Sequence, residues 1–161
     1  MSDNLKYKYN ITEVSLVYKH QDVSKDRPKV QNTKDCYDIL KRVWDENTIE
    51  LLEEFKIVLL DRSLSCLGVA HIATGGITGC VVDPRIIFAT ALKSRATGIV
   101  LAHNHPSGNL QPSQADIDIN EKLTFAGAVL DINVHDHLIL SSEGYYSFQS
   151  EGLMPHPRCV F

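Results

Sequence analysis

Residues 98–116 read Gly98-Ile99-Val100-Leu101-Ala102-His103-Asn104-His105-Pro106-Ser107-Gly108-Asn109-Leu110-Gln111-Pro112-Ser113-Gln114-Ala115-Asp116. The apolar run 98–102 has the length and β-branching of a buried strand. Pro-Ser-Gly is turn chemistry. Ser113-x-x-Asp116 is the signature of a helix start, with serine as N-cap and aspartate at N3. The stretch therefore reads strand, turn, helix. Residues i and i+2 of a strand share a face, so His103 and His105 can reach one metal ion. Asp116, in the first helical turn, can supply a third ligand. Three protein ligands with one position left open are the pattern of a catalytic zinc site.

Each piece also has a plainer explanation. His-x-His occurs a second time, as His135-Asp136-His137. Ser113 and Asp116 suffice as a capping box, and the turn explains itself. What the plainer explanations leave open is why all the pieces fall together behind a buried strand. The adjacent letters His103-Asn104-His105 carry nothing of the HNH nucleases, whose three residues are widely separated.

Outward from this stretch, residues 11–18 alternate as a strand and 19–29 form a polar loop. Residues 33–47 carry a helical stripe of Cys36, Ile39, Leu40, Val43 and Trp44, with Thr33 as cap. Residues 55–60 and 66–73 pair as antiparallel strands. Gly75, Gly76 and Gly79 form a connection, either a mobile flap or a plain turn. Residues 84–92 form a helix with Ile86, Ile87, Ala91 and Leu92 inward. A helix over 113–126 stops at Gly127. Short strands follow at 130–134 and 137–140, then a hairpin-like end at 144–147. The organisation is an N-terminal strand and loop over 1–32, one domain over 33–150 and a tail over 151–161. Alternating strands and helices make the class mixed α/β.

With 161 residues the chain can bury a real core. The 43% hydrophobic and 22% charged fractions are ordinary for a globular domain. A net charge of -4 argues against broad nucleic-acid binding, which needs a basic face. Cys36, Cys66, Cys80 and Cys159 are scattered, without a Cys-x-x-Cys pair, which points to reduced thiols in the cytoplasm. No signal core opens the chain, and no run approaches the roughly 18 apolar residues of a membrane span. Nothing in the sequence specifies an oligomeric state.

His-x-His-Pro, six residues, then Ser-x-x-Asp resembles the motif of JAMM (MPN-type) metalloproteases. The longer His-Asn-His-Pro-Ser-Gly, with Pro112-Ser113, resembles the RadC family within that group. Glu53-x-Phe55 leading to Leu60-Asp61, Asp83-Pro84-Arg85 before Phe88-Ala89, and Asp136-His137 before Leu138-Ile139-Leu140 fit the same family. The resemblance spans roughly residues 33 to 150. It implies an α/β fold, a single mixed-sheet domain with flanking helices in a cytidine-deaminase-like three-layer arrangement. It implies zinc held by His103, His105 and Asp116, an oxyanion-stabilising Ser113, and a general base at Glu53 or Glu54, with Glu-x-Phe favouring Glu53. Neighbours on a strand face opposite ways, so only one of the two glutamates can serve.

The implied reaction is hydrolysis of a peptide or isopeptide bond by a metal-bound water, on a peptide or protein substrate. The alternatives are a factor associated with DNA repair or recombination, a nuclease-like protein, or a zinc-binding scaffold without catalysis. Full-length RadC-like proteins carry an N-terminal helix-hairpin-helix segment. The region before residue 48 lacks a glycine-centred hairpin between helices, so the nucleic-acid association stays an open alternative that nothing in this region supports. Asp136 and His137 read as structural support near the site and His135 as an edge-strand polar residue. Asn104 points away from the site and carries no chemistry. His20, His71 and His156 lack partners at useful spacing.

Overall fold

The computed structural model describes residues 26–157, so the strand expected over 11–18 lies outside the described residues. Helix α1 spans Thr33–Val43, followed by strands β1 at Glu54–Leu60 and β2 at Cys66–Thr74. Helix α2 at Pro84–Lys93 leads to β3 at Gly98–Asn104, and α3 at Gln114–Val129 leads to β4 at Asn133–Leu140 and β5 at Tyr145–Ser147. The five strands form one sheet in the order β2-β1-β3-β4-β5. β3 and β4 run parallel, joined by the α3 crossover, and the remaining neighbours are antiparallel.

The sheet is covered on both faces, which explains why β3 is buried at every residue. Val58, Leu60, Val100, Ala102, Leu138 and Leu140 pack with Cys36 and Leu40 of α1. Their strand neighbours Ile57, Leu59, Ile99 and Leu101 face the other way, onto Ile87, Phe88 and Ala91 of α2 and Leu123 of α3. The result is the expected three-layer α/β arrangement, with helices on either side of one mixed sheet.

Local chemistry moves several boundaries. The N-cap of α1 is Asn32, whose side chain accepts from Asp35 N at 3.0 Å, rather than Thr33. The helix stops at Val43 because the Asp45 side chain accepts from Asn47 N at 2.9 Å, an Asx turn that competes with the helix. On α2 the inward residues are Ile87, Phe88 and Ala91, while Ile86 and Leu92 are exposed. Helix α3 runs through Gly127 to Val129. A Cβ at Gly127 would lie 2.4 Å from Ile132 O, so this glycine permits a close backbone approach and is not the helix stop. The two short strands expected over 130–140 are one strand, β4, irregular where its register against β3 shifts between Ile99 and Val100. That irregularity is where the polar His135-Asp136 interrupts the apolar pattern. Beyond β5, Met154 is buried with Phe148 and Ile139.

Candidate metal centre

Three side chains converge at the C-terminal end of β3, beside the parallel β4. This is the end of a parallel pair at which α/β sheets hold their ligands. His103 pairs with Phe55 in the last pair of the β1–β3 ladder and with Ile139 of β4, one position before that ladder ends at Asn104 and Leu140. His105 lies just past the strand end, its N–H donating to Leu140 O at 2.9 Å. Asp116 enters from the first turn of α3. Nε2 of His103 lies 3.0 Å from Nε2 of His105 and 3.2 Å from Asp116 Oδ1. Nε2 of His105 lies 3.5 Å from Asp116 Oδ2. His103 is 1% exposed and Asp116 9%.

Two ring lone pairs cannot face each other at 3.0 Å unless a proton or a cation lies between them. The spacing suits a cation. Tetrahedral zinc ligation at about 2.0–2.1 Å separates ligand atoms by about 3.3 Å, and the three separations here bracket that value. The three ligand atoms lie within 4.8 Å of one another. Two nitrogens and one carboxylate oxygen are also a donor set that zinc accepts.

Asp116 serves its helix and the cluster at once by dividing its oxygens. Oδ2 accepts Ser113 N at 2.7 Å and the Ser113 hydroxyl at 2.6 Å, while Ser113 Oγ accepts Asp116 N at 3.2 Å, completing the capping box. Oδ1 is left to His103. Burial opposes ionisation of Asp116, but the hydrogen bonds from His103, His105 and Ser113 outweigh it, holding the carboxyl well below the usual range. His105 is shifted upward, first by its hydrogen bond to Asp116, against the effect of its partial burial.

The cluster opens into a cleft of about 690 Å³, walled by Glu53 and Phe55 on one side, Ser113 and Ile119 on another, and Ile77 and Val81 at the rim. The register that pairs Phe55 with His103, continued two residues, brings Glu53 level with His105 and on the same face. Glu54 turns away. Its carboxylate lies 3.2 Å from Lys56 Nζ and 3.8 Å from His71 Nδ1, outside the cleft. Glu53 is held through its backbone, with Glu53 N donating to Gly76 O at 2.8 Å and Gly75 N donating to Glu53 O at 2.7 Å. Gly75 and Gly76 thus continue the β1–β2 ladder at the cleft edge.

The sequence places His137 as structural support near the site but does not show its contact with His103, and it misses what Asn104, Ile77 and Val81 do. His137, fully buried, places Nε2 at 2.9 Å from Nδ1 of His103. Burial drives its imidazole well below the usual range. Asn104 does point away from the cluster, and there it clamps the segment bearing Glu53. Its Nδ2 donates to Ile49 O at 2.7 Å and Leu52 O at 2.8 Å, and its Oδ1 accepts Glu54 N at 2.7 Å. The residue between the two histidines could have been read as a clamp only once β1 was known to pair with β3. Ile77 and Val81, 70% and 95% exposed, carry no periodic signal that marks them in the sequence. Cys80 also lines the cleft, but burial and the charges of Glu53 and Glu54 keep its thiol protonated. His71, which showed no partner at useful spacing, lies opposite Lys56 in the ladder, with Nδ1 3.3 Å from Lys56 Nζ and Nε2 2.9 Å from Thr74 Oγ1. His135 is exposed, away from the cluster, and His156 does not join it.

An α/β domain whose sheet end presents two histidines and an aspartate to one cleft has the form of a domain built to hold a metal ion. The RadC-like JAB domain family matches residues 30–153, and the chain belongs to that family. A UPF0758 protein of Flavobacterium johnsoniae is 42% identical over 125 residues, covering 78% of this chain and 53% of the relative. UPF0758 protein STH371 of Symbiobacterium thermophilum is 40% identical over 103 residues, 64% of this chain and 44% of the relative. A UPF0758 protein of Thermotoga maritima is 39% identical over 100 residues, 62% of this chain and 45% of the relative. The chain spans about half the length of these curated relatives. No helix among the described residues is long and apolar enough to cross a membrane.

Proposed function

We propose that this chain is a zinc-dependent hydrolase of amide bonds, peptide or isopeptide, in a polypeptide substrate. The observation that carries this reading is the meeting of His103, His105, Asp116 and Glu53 in one cleft. His103, His105 and Asp116 would hold the metal. Bound zinc supplies the positive charge that polarises a carbonyl and makes water acidic near neutral pH, with a pKa of about 7. The Glu53 carboxylate accepts a proton from the water that attacks the amide carbon. It returns that proton to the leaving nitrogen as the C–N bond breaks. The Ser113 hydroxyl, which donates to Asp116 Oδ2 in this structure, lines the cleft and turns to donate to the carbonyl oxygen as negative charge develops there.

The charge of the cleft supports a polypeptide over a nucleic acid. Its lining residues include Glu53 and Asp116 and, among the described residues, no lysine or arginine to neutralise phosphates. Cys36, Cys66 and Cys80 are all free, which supports a reducing compartment such as the cytoplasm.

The test is Glu53→Gln in the zinc-loaded protein, assayed on a mixed peptide library read by mass spectrometry. The variant keeps one equivalent of zinc and loses about 10²–10⁴-fold in cleavage rate, while Glu54→Gln retains cleavage. Full activity in Glu53→Gln would remove it as the base, and failure of the wild type to take up zinc would remove the metal reading.

A further inference from the structure

A ligand imidazole must offer a lone pair to the metal, so its one proton must sit on the far ring nitrogen. For His105 a carbonyl makes that choice. Its Nδ1 lies 2.6 Å from Asn109 O, which can only accept, so the proton is held on Nδ1 and Nε2 is free. His103 is different. Its far nitrogen meets another imidazole, Nε2 of His137, at 2.9 Å. An imidazole nitrogen can donate or accept.

If His137 donates, neutral His103 carries its proton on Nε2, aimed at Asp116 Oδ1 3.2 Å away, and has no lone pair for a cation. If His137 accepts, Nε2 of His103 is free and His137 carries its own proton on Nδ1. That Nδ1 is buried and has no hydrogen-bond partner among the described residues. Neither ring can turn freely to find another partner. Phe55 lies parallel to His103, with centroids 6.1 Å apart, and Phe148 stacks on His137 at 4.8 Å.

We propose that His137 is a positioning residue of the metal centre, whose Nε2 accepts a hydrogen bond from Nδ1–H of His103 and so holds His103 in the tautomer that binds metal. The acceptor behind a ligand histidine is usually a carboxylate, a carbonyl or a water. Here it is a second neutral imidazole, and the unpartnered Nδ1 is where that imidazole keeps its own proton. Each ring holds one proton throughout. The inference rests on the reading of His103, His105 and Asp116 as a metal centre.

The direct test is the tautomeric state of the histidines in the full chain labelled with ¹⁵N and loaded with one equivalent of Zn²⁺, read from long-range ¹H–¹⁵N correlations. His103 and His137 should both be protonated at Nδ1. A zinc-loaded protein in which His137 keeps its proton on Nε2 overturns the inference. A second arm measures zinc affinity by chelator competition. His137→Phe, which removes the acceptor, weakens binding about 10–100-fold. His137→Gln, whose carbonyl oxygen can take the same bond, stays within a few-fold of wild type. Wild-type affinity in His137→Phe overturns the inference, as does a loss in His137→Gln equal to that in His137→Phe. Should neither variant fold, the tautomer measurement on the wild type decides alone. Failure of the wild type to bind zinc overturns the underlying metal reading, an outcome distinct from all of these.

Discussion

His103-Asn104-His105 and His135-Asp136-His137 carry the same spacing on adjacent parallel strands, yet they do opposite things. The first sits where β3 ends, His103 in the last pair of the β1–β3 ladder and His105 just past the strand, so that both imidazoles meet Asp116. The second lies deeper in the sheet, with His137 opposite Leu101. It also spans the register break of β4, in which Val134 pairs with Ile99 and Asp136 with Val100, skipping His135. Its histidines separate accordingly. His135 is exposed and lies against Gly98, where a Cβ would come within 2.3 Å of its Nε2. His137 is buried behind His103. Spacing of i and i+2 makes a ligand pair only on a regular ladder that ends opposite a carboxylate. The middle residues are alike in use. Asn104 ties β3 to the segment before β1. Asp136 ties β4 to α1 through Thr33 Oγ1 at 3.1 Å, and to β5 through Ser147 Oγ at 2.7 Å.

The comparison breaks most sharply at the ligands. His103→Ala or Asp116→Ala should abolish the single equivalent of zinc, measured by elemental analysis of purified protein. Zinc at the wild-type level in either variant would dissolve the distinction between the two His-x-His stretches.

Asn104→Ala should act on stability before it acts on metal. It strands Ile49 O, Leu52 O and Glu54 N, and loss of these bonds costs about 2–4 kcal/mol in urea unfolding. Zinc content should hold while cleavage falls, because the segment carrying Glu53 loosens.

Protons compete for the same cluster. In the metal-free protein the depressed Asp116 carboxyl contributes stability above its unfolded pKa of about 3.9, lost as pH falls through the lower folded value. His105, shifted upward, contributes stability that is full below about 6.5 and lost as pH rises through its folded value. Zinc requires His105 unprotonated, so the rise in melting temperature on adding zinc should grow with pH through that upper window. A zinc effect that is largest near pH 5 would contradict the assignment of His105.

The smallest effect belongs to His135. His135→Ala should leave zinc content unchanged and shift stability by no more than about 0.5 kcal/mol, as expected of an exposed side chain.

Much of this was legible because strand and helix periodicities are local. The apolar run into His103, the capping box at Ser113 and Asp116, and the β1–β2 pair all follow from neighbours in sequence. The sequence left Glu53 and Glu54 as alternatives, and what separates them in space is the pairing of β1 with both β2 and β3. That pairing turns Glu54 to Lys56 and His71, and Glu53 to the cleft. The contact of His137 with His103 was hidden for the same reason, since it crosses from β4 to β3 over 34 positions. Gly127 misled because a glycine near a helix end signals a stop, whereas here the missing side chain makes room for Ile132 O.

An anomalous-difference map at the zinc edge, from crystals of the zinc-loaded protein, tests whether His103, His105 and Asp116 hold one metal ion. One peak is expected, about 2.0–2.2 Å from Nε2 of His103, Nε2 of His105 and an oxygen of Asp116. A peak ligated instead by His135 or His137, or no peak between His103 and Asp116, would contradict that assignment.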